Sequence, residues 1–548
     1  MKCKKTWFYN FGVIVAVILI LSAFATCFSK MTEGAANPAG MRGVLLVVLI
    51  VGVALVRLLA WVYVRFQLDK YFSADETWIF VLEIIAVVVI VAIGIWMRVD
   101  LIRGTEYTLN EKEIRYLEIT NHIKEQTLRT ESVEYCEYLA QNPHDIGYAV
   151  MLNMVLPDGY TEVVNGLYLN VFLAAGSFLL LFLIARKMSG RVAGLLVLVW
   201  TALLPFEVQK VLSLTEQPAT EFFLIVCSAL FIHTLLDFDK VEGRPGACFA
   251  WNIILGVLLA IGAVLNPVLI FLGIAMLIVV VPQKMGLPNK PKNDLPLLLR
   301  AIHHGWIRGL LILLPFMLLY GILFSNIEMA INRDVSAFGS FVKTIREACA
   351  LIKMDFVGSF SVAVEEFEQI WCVSGIQGMA TAAMLVIAMI GLVSMHQREG
   401  SFQQLFVMFL GSVAVFGSVC ISMPLIENSV TAREFLMAKN PCTYLGFCCL
   451  LLAGHGVQSF FEDAEENLKR KADEEDVLAR QKAARRRELE AYKKVEEEVT
   501  KIREEALANV FDMKYALEHG HVIMTVSEAY GNQKKEENAE KADAEGES

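Results

Sequence analysis

Eight ionisable side chains placed where polar sequence meets apolar runs are the ones able to do chemistry. Glu106, Glu111 and Glu113 open a polar stretch from Asp100 to Val163, and His144 and Asp145 lie near its end. Glu216 falls between two later runs, and Arg433 with Glu434 precedes the last one. A carboxylate within reach of a hydroxyl takes its proton as a general base. An always-charged guanidinium fork suits phosphate oxygens. Each residue also has a plainer role. Glu111 and Glu113 read as solvated loop acids, His144 and Asp145 as caps of the next helix, Glu216 as a helix-terminal charge and Arg433 as a headgroup anchor. The chain holds no phosphate-binding Gly-rich loop, no His-Glu-x-x-His and no Gly-x-Ser-x-Gly, so any activity must come from side chains at span ends.

The elements that must position them are membrane spans. With 56% hydrophobic residues and a mean hydropathy of +0.52, the 548-residue chain is too apolar for a soluble fold. Twelve runs are predicted as spans, at about 11–29, 43–64, 79–97, 165–185, 192–206, 219–236, 249–265, 268–282, 307–324, 376–395, 403–423 and 440–457. The predicted fold is an all-α polytopic membrane protein of about 12 transmembrane helices, with outer-face loop helices and a cytoplasmic C-terminal helix. The first run, preceded by Lys2, Lys4 and Lys5, is read as a retained anchor rather than a cleaved signal. With the N-terminus inside, Arg186, Lys187, Arg191, Lys240, Arg244, Lys284 and Arg308 all fall on the inner side. Both termini are then cytoplasmic, in the cell membrane, and segments 100–163, 325–375 and 424–439 are outside. The seventh and eighth runs are interrupted by Asn266-Pro267, which leaves open whether they are separate spans. Glu83 and Arg57 lie within apolar runs and are expected to pair, with each other as one solution.

In the first outer segment, 110–122 and 132–139 are predicted as amphipathic helices at the interface. Phe338, Phe341, Ile345, Ala348 and Ile352 give the second segment a similar pattern. Eleven cysteines occur without a Cys-x-x-Cys pair, so neither a zinc site nor a disulfide framework is indicated. A bridge among Cys136, Cys349 and Cys372 is open. The absence of an Asn-x-Ser/Thr sequon outside is compatible with a bacterial source. Residues 459–548 carry 16 Lys/Arg against 24 Asp/Glu, most of the chain's net charge of −10. No nucleic-acid partner is expected from that balance. Strong helix formers without Pro or Gly from Glu462 to Glu505 predict one long helix. Tyr492, Val495, Val499, Ile502 and Ala506 form a seam with the spacing of a short coiled coil, which Arg485 and Lys482 interrupt upstream. Self-association or a cytoplasmic partner through 462–517 is one reading, and a solvated single helix is the other. The residues from Gln533 onward are expected to be disordered. The domain plan is a hairpin over 1–78, a catalytic module over 79–458 and a charged tail over 459–548.

Several motifs resemble the GT-C glycosyltransferases, and in particular bacterial relatives of the protein O-mannosyltransferase family (family 39). Pro143-His144-Asp145-Ile146-Gly147-Tyr148 resembles the family's Pro-x-x-x-Gly-Tyr run. Ala185 to Gly194 resembles its short cytoplasmic turn, Glu216-Gln217-Pro218 its outer Glu-x-Pro element, and Gly256 to Pro267 its Gly-rich span. Asn266 stands where the family's Arg-Pro element has Arg. The likeness is good over about 79–282 and loose elsewhere. It implies a sugar donor on a polyprenyl phosphate, membrane lipids as surroundings and an acid just after the span that opens the first loop. In the family that acid, usually Asp, deprotonates the acceptor or holds a metal. Here Glu111, Glu113 or Glu106 must serve, with Arg433 steadying the departing phosphate and Glu216, His144 and Asp145 lining the substrate. No cofactor is certain, and a divalent metal ion is the one candidate. Two further classes stay open: a GT-C-like scaffold whose tail binds a partner, and a twelve-span transporter, the plan of two six-span halves.

Overall fold

The computed structural model describes residues 7–32, 38–66, 76–156, 163–236, 245–266, 268–281, 305–331, 376–397 and 442–518. All described elements are helical: α1 (Trp7–Met31), α2 (Pro38–Arg65), α3 (Glu76–Gly104), α4 (Glu111–Glu125), α5 (Val133–Gln141), α6 (Pro143–Val155), α7 (Val163–Ser189) and α8 (Arg191–Leu203). They continue as α9 (Pro205–Gln209), α10 (Gln217–Leu236), α11 (Pro245–Leu265), α12 (Val268–Val280), α13 (Gly305–Ala330), α14 (Ile376–Gln397) and α15 (Cys442–Glu518). Parts of α2, α3, α7 and α13 are long and apolar enough to cross a bilayer, and α7, at 27 residues, is about 40 Å long. The protein is an all-helical, multi-pass membrane protein. The expected span at 403–423, the outer segment at 424–439, the stretch from 332 to 375 and the tail from 519 lie outside the described residues.

The shortness of the fifth run and the split between the seventh and eighth have reasons visible in the backbone. The run at 192–206 yields only the 13-residue α8, about 20 Å. Pro205 has no N–H to continue it, and Leu204, the residue before proline, is extended at ψ 132°. The runs at 249–265 and 268–282 are separate helices folded into a tight antiparallel hairpin. At its turn Asn266 Oδ1 accepts the Val268 N–H at 3.0 Å, and the side of Gly262 faces Leu269 while that of Gly273 faces Leu259. Asn266 therefore works as the cap of α12.

At one end of the bundle, Glu83 of α3 accepts from Arg186 Nε and Nη2 and faces Arg191 Nε at 3.4 Å. Arg57 is exposed, so Glu83 pairs with the basic turn between α7 and α8 instead. Gly190 makes that turn at φ +100°, a conformation other residues adopt only under strain. The opposite end gathers Ile102, α4, α6, the start of α7, residues 211–219 and Leu265 into one core. The alternation of spans delivers the polar segment 100–163, the 207–216 corner and the α11–α12 turn to the same place.

Helices α4 and α5, expected as amphipathic helices at the interface, pack their apolar faces on protein. Tyr116, Leu117 and Ile119 of α4 are buried against protein, chiefly against α6 and the span ends. Cys136 is a free thiol packed in this cap and hydrogen-bonded to Leu128 O; Cys349 and Cys372 lie outside the described residues. The contact map divides the chain into Met1–Glu465 and Glu466–Ser548. The described part of the second unit is the continuation of α15 to Glu518, with its large apolar side chains from Val477 to Leu507 exposed.

Candidate active site

The polar cap is built on local sequence signals. Asn110 caps α4, its Oδ1 accepting the Glu113 N–H at 2.9 Å while Glu113 Oε2 accepts the Asn110 N–H at 2.8 Å, a capping box. Glu113 Oε1 also accepts from the Tyr107 hydroxyl at 2.6 Å and from the Leu214 N–H at 2.8 Å. Both oxygens of this buried acid hold structure together, fastening the loop to the 213–214 corner. Glu106 and Glu111 are exposed. Among the described residues no three His, Cys, Asp or Glu side chains stand close enough to hold one metal ion.

Pro143 starts α6, which is favourable because a first-turn N–H has no helical partner. His144 Nδ1 lies 3.3 Å from Val264 O at the end of α11. A Cβ on Gly147 would stand 2.3 Å from that same carbonyl, so only glycine lets α6 and α11 meet here. Tyr148 then packs edge-on against Tyr116, with ring centroids 4.9 Å apart. The Pro-x-x-x-Gly-Tyr spacing thus docks α6 and presents Asp145 to α4.

What converges there is a hydrogen-bonded chain of six side chains. Lys112 Nζ donates to Glu216 Oε1 at 3.0 Å, and the Tyr116 hydroxyl lies 2.6 Å from Glu216 Oε2 and 3.3 Å from Asp145 Oδ1. Tyr138 donates to Asp145 Oδ2 at 2.9 Å and accepts from Arg115 Nη1 at 2.7 Å. Glu216 and Asp145 are 3% and 7% exposed. Burial first, then the two carboxylates, push the Tyr116 phenol well above its usual range, so it stays protonated and donates. A hydroxyl has one proton for two acceptors. Glu216, the nearer, takes it, and Asp145 Oδ1 keeps a lone pair for an incoming donor. The two negative charges are matched by Lys112 and, through Tyr138, by Arg115. This set fits a balanced hydrogen-bonded pair, not a divalent cation.

A small pocket with about 30 Å³ of internal space lies between α3, α7, the α8–α9 corner, α10 and Phe447. Its polar lining is Arg98, Asn170, Ser177, Glu207, Lys210 and Glu221. Sequence reading missed these residues. Arg98 is 1% exposed and donates to the carbonyls of Gly94, Thr201, Ala202 and Glu207 at 2.7–3.3 Å. The Thr201 and Ala202 carbonyls are ones that Pro205 deprives of a helical partner, so the signal was an arginine in a span facing a proline-terminated helix. Arg98 Nε has no partner. Lys210 bridges Glu207 at 2.9 Å and Glu221 at 3.2 Å. Burial lowers the Lys210 ammonium, and the two acids more than offset that and hold it above its usual range. Arg433 lies outside the described residues.

No family model matches the sequence, and no curated protein matches it. Among solved structures the chain is similar to the archaeal oligosaccharyltransferase AglB from Archaeoglobus fulgidus, in complex with an inhibitory peptide and a dolichol-phosphate. That match has 11% identity and a TM-score of 0.34, over 68% of this chain and 50% of the other. The apo form of the Archaeoglobus fulgidus oligosaccharyltransferase matches at 12% identity and a TM-score of 0.29, over 70% and 56%. The chain spans about half the length of these structures.

Proposed function

We propose that this protein is a membrane glycosyltransferase of the GT-C kind, moving a sugar from a polyprenyl-phosphate donor to an acceptor hydroxyl at the polar-loop end of the bundle. The observation that carries the reading is the meeting of Asp145 and Glu216, from α6 and the 213–216 corner, on the single proton of Tyr116. The motif resemblance at Pro143–Tyr148 and Glu216–Pro218 supports it. Asp145 Oδ1 accepts the proton of the acceptor hydroxyl as its oxygen forms the new bond to the anomeric carbon. The sugar–phosphate bond breaks from the opposite face, and the phosphate leaves with the electron pair, inverting the anomeric centre. Arg433 is the candidate cation for that phosphate, and Arg98, spent on four backbone carbonyls, serves architecture. Glu216 holds Tyr116 and Lys112 in place, and Glu113, occupied in its cap, serves architecture. Both termini are cytoplasmic in this reading, with the chain in the cell membrane.

The test is donor consumption by the full chain, reconstituted in liposomes with a panel of polyprenyl-phosphate sugars. Asp145→Asn and Glu216→Gln are expected to lower turnover per folded molecule at least about a hundredfold, with the helical fold retained at the assay temperature. Wild-type protein that consumes no donor from the panel refutes the proposal. One observation favours the rival scaffold reading: the most buried loop acid, Glu113, is wholly engaged in structural bonds. That rival gains if wild type consumes no donor, whereas turnover unchanged in the acid variants would keep the enzyme and remove Asp145 and Glu216 from its chemistry.

A further inference from the structure

Beyond Lys482, α15 runs to Glu518 as a single helix. Tyr492, Val495, Val499 and Ile502 are 78%, 56%, 58% and 63% exposed. They recur at intervals of three and four residues, and Ala506 continues the series. Written as heptads, Tyr492, Val499 and Ala506 take position a, and Val495 and Ile502 take d. Flanking positions then follow: Glu498 and Glu505 at g, Glu496 and Arg503 at e, and Glu497 at the solvent-facing f position.

We infer that this seam is closed by the same seam of a second copy of this chain, in parallel and in register. Charge complementarity selects that occupant. In a parallel pair a g residue meets the e residue five places on in its partner, which sets Glu498 opposite Arg503 twice by symmetry. In an antiparallel pair, g residues meet g residues, and Glu498 would face glutamates. Copies inserted the same way round in one membrane also emit their tails on the same side, which enforces the parallel arrangement. Two heptads are marginal as an isolated coiled coil. Confinement of both copies to one bilayer raises their effective concentration, and that offsets the shortness of the seam. This inference is independent of the catalytic reading.

The test reconstitutes the full chain as a fluorescent fusion in liposomes and follows the dimer fraction by photobleaching steps as the protein-to-lipid ratio is varied. Wild type is expected to move from monomer to dimer with density, and Val499→Asp to remain monomeric. Glu498→Arg and Arg503→Glu each replace two attractions by two repulsions and should each weaken dimerisation by about tenfold. The doubly reversed chain, E498R with R503E, should return to within about threefold of wild type, because only in a parallel register do these positions face each other. Glu497→Arg should change nothing. A wild type that stays monomeric at every density overturns the inference. So does a dimer insensitive to Val499→Asp, or one strengthened by Glu498→Arg alone, the antiparallel result. Failure of the double reversal to restore dimers also overturns it.

Discussion

Two buried tyrosines in contact offer a clean measurement of what holds the site together. The rings of Tyr116 and Tyr148 meet at 4.9 Å, and both side chains are almost wholly buried. The Tyr116 hydroxyl donates to Glu216 at 2.6 Å, whereas that of Tyr148 has no partner. Phenylalanine in either place keeps the ring and opens no cavity, so only the hydroxyl changes. In Tyr116→Phe, Glu216 Oε2 loses a charge-assisted bond inside the cap. Hydrogen bonds to charged groups contribute about 1.5–3 kcal/mol, so a loss of about 2 kcal/mol is expected. In Tyr148→Phe an unsatisfied buried hydroxyl disappears, and the change should be neutral or stabilising by up to about 1 kcal/mol. The assay is helix loss during detergent-driven unfolding of the purified protein, with transfer activity measured in parallel. Activity should fall in Tyr116→Phe and persist in Tyr148→Phe. Equal destabilisation by the two substitutions would refute the reasoning, since it would mean that packing and not the bridged acid pair governs the cap.

Two further expectations concern the same end of the bundle. Glu113→Gln keeps the shape of the capping box but weakens its charge-assisted bonds to Asn110, Tyr107 and Leu214. It should cost about 1 kcal/mol of stability and leave turnover per folded molecule within about twofold, and a much larger loss of turnover at unchanged stability would return Glu113 to the chemistry. Alkaline pH should open the cap: burial raises Tyr116 and Tyr148 well above the usual phenol range and pushes Tyr135 up to about 12. An unfolded phenol ionises near 10, so above that pH the unfolded chain sheds protons first. The stabilisation is full below pH 10 and is lost as pH rises toward and beyond 12. Tyrosinate absorbance from these residues should appear together with helix loss. Its complete appearance near pH 10 with helicity intact would contradict the burial.

Much of this was legible in the chain itself. Apolar runs of span length dictate helices because the bilayer leaves no water for a backbone to bond. Alternation of spans then forces 100–163, 207–216 and 265 to one end, whatever their packing. Local signals were equally plain: Asn110 three residues before Glu113, Pro143 at a helix start, Pro205 at a helix end. Glu216 and Asp145 stood out by position. Their meeting on Tyr116 did not, because three segments separated by 29 and 71 residues come together only through contacts among four helices. The family resemblance made Glu113 a candidate catalytic acid, and the structure makes both its oxygens part of a helix cap, since a carboxylate's role depends on what fills its lone pairs. Arg98 reads in sequence as an isolated charge within a span. Tertiary structure alone gives it the carbonyls that Pro205 orphans and leaves its last N–H buried without a partner. Sequence fixes which groups are expensive to bury; only the fold decides what meets them.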